Sequence, residues 1–180
     1  MRVALLYPPP WKIAPAGGLP YPKGEGPPEG YKDGDLDADF FQIPYGLLAL
    51  GAGSTRAGHQ PKVLNLSGFV WPKVEEVIEA LDADVFAMSC WTANRRGVRL
   101  VAEAIKRMHP KAHVIVGGPH ATPLGPELLT HHQAIDTICV GESDITFLEL
   151  CDRIAKGEST RGIAGTVYRD ETGAVAMGPK

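Results

Sequence analysis

After Ile43 the sequence alternates short apolar runs with stretches of helical periodicity, and that alternation leaves few folds open. Before it, Arg2 to Tyr7 (RVALLY) reads as a buried strand stopped by Pro8-Pro9-Pro10, because proline lacks the donor that a strand ladder needs. Pro44 suits a first helical turn and Gly58 a left-handed exit, predicting a helix over about 44 to 57. Lys62 to Leu66 is the second strand. Pro72 starts a helix carrying Val74, Val77, Ile78 and Leu81 at helical spacing, and Asp84 to Ser89 (DVFAMS) is the third strand. Thr92 is placed to cap a third helix whose stripe is Val98, Val101, Ile105 and Met108, ending before Pro110. Ala112 to Val116 is strand four, running into Gly117-Gly118-Pro119. A short helical turn near Pro126 to Leu129 precedes strand five, Thr137 to Val140. A last amphipathic helix is marked by Ile145, Leu148, Cys151 and Ile154, and the tail reads as a hairpin around Thr172-Gly173.

Strands alternating with helices imply right-handed βαβ units and a parallel sheet covered on both faces. The expected fold is α/β, a flavodoxin-like, doubly wound sheet of five parallel strands in the order 2-1-3-4-5, with a C-terminal hairpin. Residues 1–160 form one domain and 161–180 a hairpin or connector. A hydrophobic content of 44% in 180 residues is enough for a packed core. Between Pro8 and Ile43 stand prolines 8, 9, 10, 15, 20, 22, 27 and 28, glycines 17, 18, 24, 26, 30 and 34, and Asp33, Asp35, Asp37 and Asp39. A loop of that length is a lid, a binding loop or a solvated excursion. In this strand order a ligand sits beyond the carboxyl ends of the strands where the winding reverses, between strands one and three. Pro8 to Trp11, Ser89-Cys90-Trp91-Thr92, Gly117-Gly118-Pro119-His120 and Gly141-Glu142-Ser143 line that edge.

The formal charge of -3 gives no basic field, which argues against nucleic acid or an anionic membrane as partner. No apolar run approaches the ~20 residues of a membrane span and the N-terminus lacks a signal pattern, so the chain reads as cytoplasmic. Cys90, Cys139 and Cys151 match neither a disulfide framework nor a CxxC metal site and are expected to be reduced thiols. A phosphoacceptor domain needs clustered acids after strand one, where Tyr7 and three prolines stand. A flavin phosphate cradle there needs backbone N–H donors that proline removes. Gly51 to Gly58 (GAGSTRAG) has the wrong spacing for a dinucleotide fingerprint and no strand before it, leaving a nicotinamide or flavin domain as a minor alternative.

Taken in order, the PPP stop with its long loop, the helix ending RAGH, KVLNL, DVFAMSCWT, VIVGGPHAT and DTICVGESDITFLEL resemble the cobalamin-binding domain at the N-terminus of many radical S-adenosylmethionine enzymes. The similarity covers nearly the whole chain, and GIAGTVYRDETGAVAMGPK resembles the connector that leads into the catalytic barrel of those enzymes. The resemblance implies a corrin ring on the carboxyl edge of the sheet, with its nucleotide tail inserted beside the strands. The cofactor-binding candidates are then Pro8, Pro9, Trp11, Ser89, Cys90, Trp91, Thr92, Gly117, Gly118, Pro119, His120, Gly141 and Glu142. Gly117 and Gly118 allow a ring or tail close to the backbone or make a tight turn; Ser89 and Thr92 hydrogen-bond the cofactor or cap a helix; Trp11 and Trp91 offer flat apolar faces or pack.

Departures from the family matter as much. Other cobalamin proteins carry DxHxxG after strand one, with a histidine that binds cobalt; Tyr7 to Trp11 contain no such ligand. The resemblance therefore implies cobalamin bound base-off and without a histidine, with His120 placed to hydrogen-bond the corrin periphery or tail. Ser143 and Asp144 stand where the family more often has glycine and glutamate. The chain also lacks the CxxxCxxC that holds a [4Fe–4S] cluster and S-adenosylmethionine, so both are expected in a radical SAM barrel of the same parent chain or of a separate one. The implied role is the cobalamin domain of a radical SAM enzyme, in the commonest class a methyltransferase acting on a carbon centre. The alternatives are a ring-forming cyclase of the same family and a free-standing corrinoid carrier or sensor.

Overall fold

A computed structural model describes residues 1–10 and 43–179. Trp11 and nearly all of the long Pro/Gly-rich loop lie outside the described residues. The elements run β1 Arg2–Tyr7, α1 Tyr45–Arg56, β2 Gln60–Asn65, α2 Trp71–Ala80, β3 Val85–Ser89, α3 Arg95–Met108, β4 His113–Gly117, α4 Ala121–His131, β5 Thr137–Cys139, α5 Asp144–Lys156, β6 Thr166–Arg169 and β7 Val175–Met177. One sheet holds all the strands in the order β2-β1-β3-β4-β5-β6-β7. The first five are parallel, with Leu5 opposite both Val63 and Ala87, and Ala87 opposite Ile115. The hairpin β6–β7 continues the sheet antiparallel at the β5 edge, where Cys139 faces Thr166.

Period-two alternation sorts the core into two layers. Ala4, Leu6, Phe86, Met88, Val114, Val116 and Ile138 pack under α2, α3 and α4, against residues such as Ile78, Val101, Ile105 and Leu129. Val3, Leu5, Tyr7, Val85, Ala87, Ile115 and Cys139 face α1 and α5, which contribute Leu47, Phe147, Leu150 and Cys151. Strands buried on both faces are continuous apolar runs, which is why RVALLY and DVFAMS stand out in the sequence.

Three local expectations need correction. Helix α4 is a full eleven-residue helix rather than a turn near Pro126. Pro123 lies in its first turn, where backbone N–H groups lack intrahelical partners anyway, so it is tolerated there. Thr92 does not cap α3, because the helix begins at Arg95 after Asn94. Ile145, expected on the buried stripe of the last helix, is 83% exposed at its first turn. Among the described residues no helix is long and apolar enough to cross a membrane.

Candidate functional site

The strand order places a reversal between β1 and β3, and a cavity of about 880 Å³ opens at the carboxyl edge around it on the α1/α5 face. Its floor is made by residues of one sheet face: Tyr7 from β1, Ala87 from β3, Ile115 from β4 and Cys139 from β5. Leu47 and Leu50 of α1 form one wall and Phe147 of α5 the other. The rim is made by the last residues of β3 and β4, Ser89 and Gly117, and by the loops after β3 (Trp91), β4 (Gly118, Pro119) and β5 (Gly141, Glu142, Ser143). Ile43 and Tyr45 extend it as an apolar lip, with Tyr45 72% exposed.

Hydrogen bonds fix the rim. The Cys90 N–H donates to the Gly117 carbonyl at 2.7 Å and the His120 N–H to the Cys90 carbonyl at 3.0 Å, which ties the β3 and β4 loops together. Gly118 sits at φ +100°, and a Cβ there would stand 2.8 Å from the Cys90 carbonyl oxygen, so only glycine fits this crossing. Thr122 ties in the third loop: its hydroxyl donates to the Gly118 carbonyl and accepts from the Gly141 N–H, each at 3.1 Å.

Asn94 is buried behind this rim and accounts for the start of α3. Its Oδ1 accepts the Trp91 N–H at 2.7 Å, and its Nδ2 donates to the carbonyls of Ser89 at 3.0 Å and Pro8 at 3.4 Å. One side chain thus joins the exit of β1 to the loop after β3, a role the sequence reading missed.

The candidates from sequence divide accordingly. Ser89, Trp91, Gly117, Gly118, Pro119, Gly141 and Glu142 line the cavity. Pro8 and Pro9 are buried at the exit of β1 and Cys90 lies beneath the loop in the opposite core layer, none of them in the lining. Thr92 and His120 bond to each other, Oγ1 to Nδ1 at 3.1 Å, and His120 opens onto a separate cleft of about 200 Å³ between α3 and α4. Burial and the Arg95 guanidinium hold His120 below the usual imidazole range. The sequence reading missed the strand and helix residues Tyr7, Leu47, Leu50, Ala87, Ile115, Cys139 and Phe147. Strand alternation carried that signal, since residues 7, 87, 115 and 139 share one face.

The floor is chemically quiet. Burial pushes the Cys139 thiol up to about 12, so at neutral pH it is un-ionised. Among the described residues no group of three or more His, Cys, Asp or Glu gathers as a metal site. The Tyr7 hydroxyl is buried without a hydrogen-bond partner among the described residues, and burial pushes its ionisation up to about 12.

Residues 36–151 match the model of the B12 binding domain family. An uncharacterized methyltransferase of Pyrococcus horikoshii is 31% identical over 139 residues, 76% of this chain and 30% of that protein. The cobalamin-dependent radical SAM methyltransferase TokK of Streptomyces tokunonensis is 31% identical over 146 residues, 77% of this chain and 21% of TokK. Among solved structures, the radical S-adenosylmethionine methyltransferase TsrM of Kitasatospora setae superposes with a TM-score of 0.73 at 18% identity, covering 99% of this chain and 30% of that one, a likeness of fold. The chain therefore spans less than a third of each of these proteins.

Proposed function

The chain belongs to the B12-binding domain family, and from that premise we propose that it holds a cobalamin against the carboxyl edge of the sheet, base-off and with no protein nitrogen on the lower face of the cobalt. The residues present fit such a group. The cavity is of ligand size, its floor and walls are apolar, its rim carries backbone and hydroxyl groups, and it contains a buried hydroxyl without a partner among the described residues.

The observation that carries the lower-face reading is the distribution of histidines. The sequence has 6, and every one is described. None lines the cavity. His109 bonds the Ile78 carbonyl, His113 the Thr137 hydroxyl and His120 the Thr92 hydroxyl, while His59 lies 3.1 Å from Asp152. His131 and His132 belong to a cleft beside α3.

In this reading, Ser89, Gly117 and Gly141 meet the corrin edge and Trp91 shields it from water, while the cavity takes the nucleotide tail. Bound cobalamin supplies methyl-transfer chemistry at cobalt, and this chain's part is to bind it, orient it and leave its lower face without a protein ligand. The parent activity we infer is that of a cobalamin-dependent radical SAM methyltransferase acting on a carbon centre. The barrel, with its iron–sulfur cluster and S-adenosylmethionine, would be supplied by a further domain or a separate chain. Two findings support this: the matched methyltransferases are several times longer than this chain, and the lip at Ile43 and Tyr45 leaves apolar surface exposed at the cavity mouth.

The test is reconstitution with hydroxocobalamin, desalting, reduction to cob(II)alamin and electron paramagnetic resonance. Retained corrin with cobalt lines free of nitrogen triplets is the expected result. Failure to retain corrin by folded protein refutes cofactor binding. A triplet lost in His120→Ala makes His120 the ligand, and one that persists there shows the benzimidazole still coordinated.

A further inference from the structure

Tyr7 closes the inner end of the cavity as the last residue of β1 and is only 1% exposed. The residues around it on the same face, Leu47, Ala87, Ile115, Cys139 and Phe147, are apolar or carry an un-ionised thiol. Among the fully buried side chains that line the cavity, Tyr7 has the only hydroxyl, and that hydroxyl has no partner among the described residues. A buried unpaired hydroxyl costs on the order of 1–3 kcal/mol, so its retention on an apolar floor calls for an acceptor that arrives from outside.

We propose that the Tyr7 hydroxyl reads the lower base of the corrinoid, donating a hydrogen bond to a ring nitrogen of a heteroaromatic tail and so selecting such corrinoids over those whose tail base has no ring nitrogen. The proposal rests on the cobalamin reading above. The chemistry follows from the base-off state. A benzimidazole detached from cobalt exposes an imine nitrogen with a free in-plane lone pair, its flat faces suit the Leu47, Ile115 and Phe147 surroundings, and the phenol is a neutral donor at every physiological pH. A phenol-type tail base is also a flat aromatic ring, smaller than benzimidazole and with no nitrogen acceptor; its size difference is the same in both proteins and cancels in the comparison, and it leaves Tyr7 without a tail acceptor.

The test compares dissociation constants for cobalamin, for p-cresolylcobamide (an aromatic tail without ring nitrogen) and for cobinamide, which has no tail, in the wild-type protein and in Tyr7→Phe. Binding is read from corrin absorbance and tryptophan quenching. Detaching the benzimidazole from cobalt costs the same in both proteins, so the informative quantity is the cobalamin-to-cresolyl affinity ratio in wild type divided by that in Tyr7→Phe. Loss of one buried hydrogen bond predicts that this quotient is roughly 5 to 100. Equal cobinamide affinity in the two proteins shows that the variant keeps its fold. A quotient near one, with cobinamide affinity preserved, overturns the role of Tyr7 while leaving cobalamin binding intact. If Tyr7→Phe is misfolded, the wild-type ratio is compared with that of Tyr7→Leu, with the same expectation and the same overturning result. Failure of the folded wild type to bind any of the three corrinoids removes the cobalamin reading itself and the proposal with it.

Discussion

A Cβ placed on Gly97 would stand 2.1 Å from the carbonyl oxygen of Pro9, so helix α3 lies directly on the proline exit of β1. Asn94, one turn earlier, bonds the Pro8 carbonyl. The β1 exit is therefore clamped to the start of α3, and the loop carrying Ser89 and Trp91 is held by the same clamp. Gly97→Ala forces backbone apart in a buried contact and is expected to destabilise the protein by about 1–3 kcal/mol, read from the urea midpoint. An unchanged midpoint would show that α3 shifts freely and that the clamp is weak.

Asn94→Ala removes the Oδ1 acceptor of the Trp91 N–H and the Nδ2 donor to the Ser89 and Pro8 carbonyls. The expected cost is about 1–3 kcal/mol of stability, together with weaker cobalamin binding because the Trp91 loop loses its anchor. Denaturation and corrin titration on one preparation test both effects. Full corrin affinity in a destabilised Asn94→Ala would mean that the rim does not depend on this side chain.

Strands and their order were legible because each central strand is buried on both faces, which forces runs such as RVALLY and DVFAMS. The loops at the carboxyl edge were legible for the same reason, since the topology puts them there whatever their sequence. The floor of the cavity was not, although alternation already grouped Tyr7, Ala87, Ile115 and Cys139. What creates the depth is the small size of Ala87 and Cys139 beneath the gap between α1 and α5, and that gap is a property of packing rather than of any motif. Asn94 was invisible for a related reason: one amide that bonds two nearby backbone groups and the distant Pro8 carbonyl has no signature in spacing. The full length of α4 is not legible from a turn near Pro126 to Leu129, because Pro123 lies in its first turn and Pro126 is accommodated inside it.

Burial holds His113 below its ordinary value of 6.5, with Asp136 opposing the shift and Lys106 adding to it. His120 and His132 are shifted the same way, each mainly by burial. A folded-state value below the unfolded one means that the folded protein resists protonation. Stability from these groups is fully present above about pH 6.5 and is lost as pH falls through the depressed folded values. Urea midpoints are expected to decline from pH 7 to pH 5, and His113→Gln, which keeps a polar partner for Thr137, is expected to flatten part of that decline. An identical pH slope in His113→Gln would exclude His113 as a contributor.

The location of the site can be tested by filling it. Ala87 lies on the cavity floor within the layer that faces α1 and α5 and is 3% exposed, so Ala87→Leu adds its atoms at that floor, and a thermal midpoint kept within a few degrees is the control that the layer accommodates them. The same atoms occupy the volume assigned to the cofactor tail, and corrin affinity is expected to fall at least about tenfold, a loss of roughly 1.4 kcal/mol or more. His120→Ala is the matched control, because its side chain opens onto the other cleft; there corrin affinity is expected to change by less than about threefold. The two variants separate the two faces of the sheet. If His120→Ala loses corrin while Ala87→Leu retains it, the cofactor sits on the α3/α4 side, and both the cavity assignment and the role given to Tyr7 fail together.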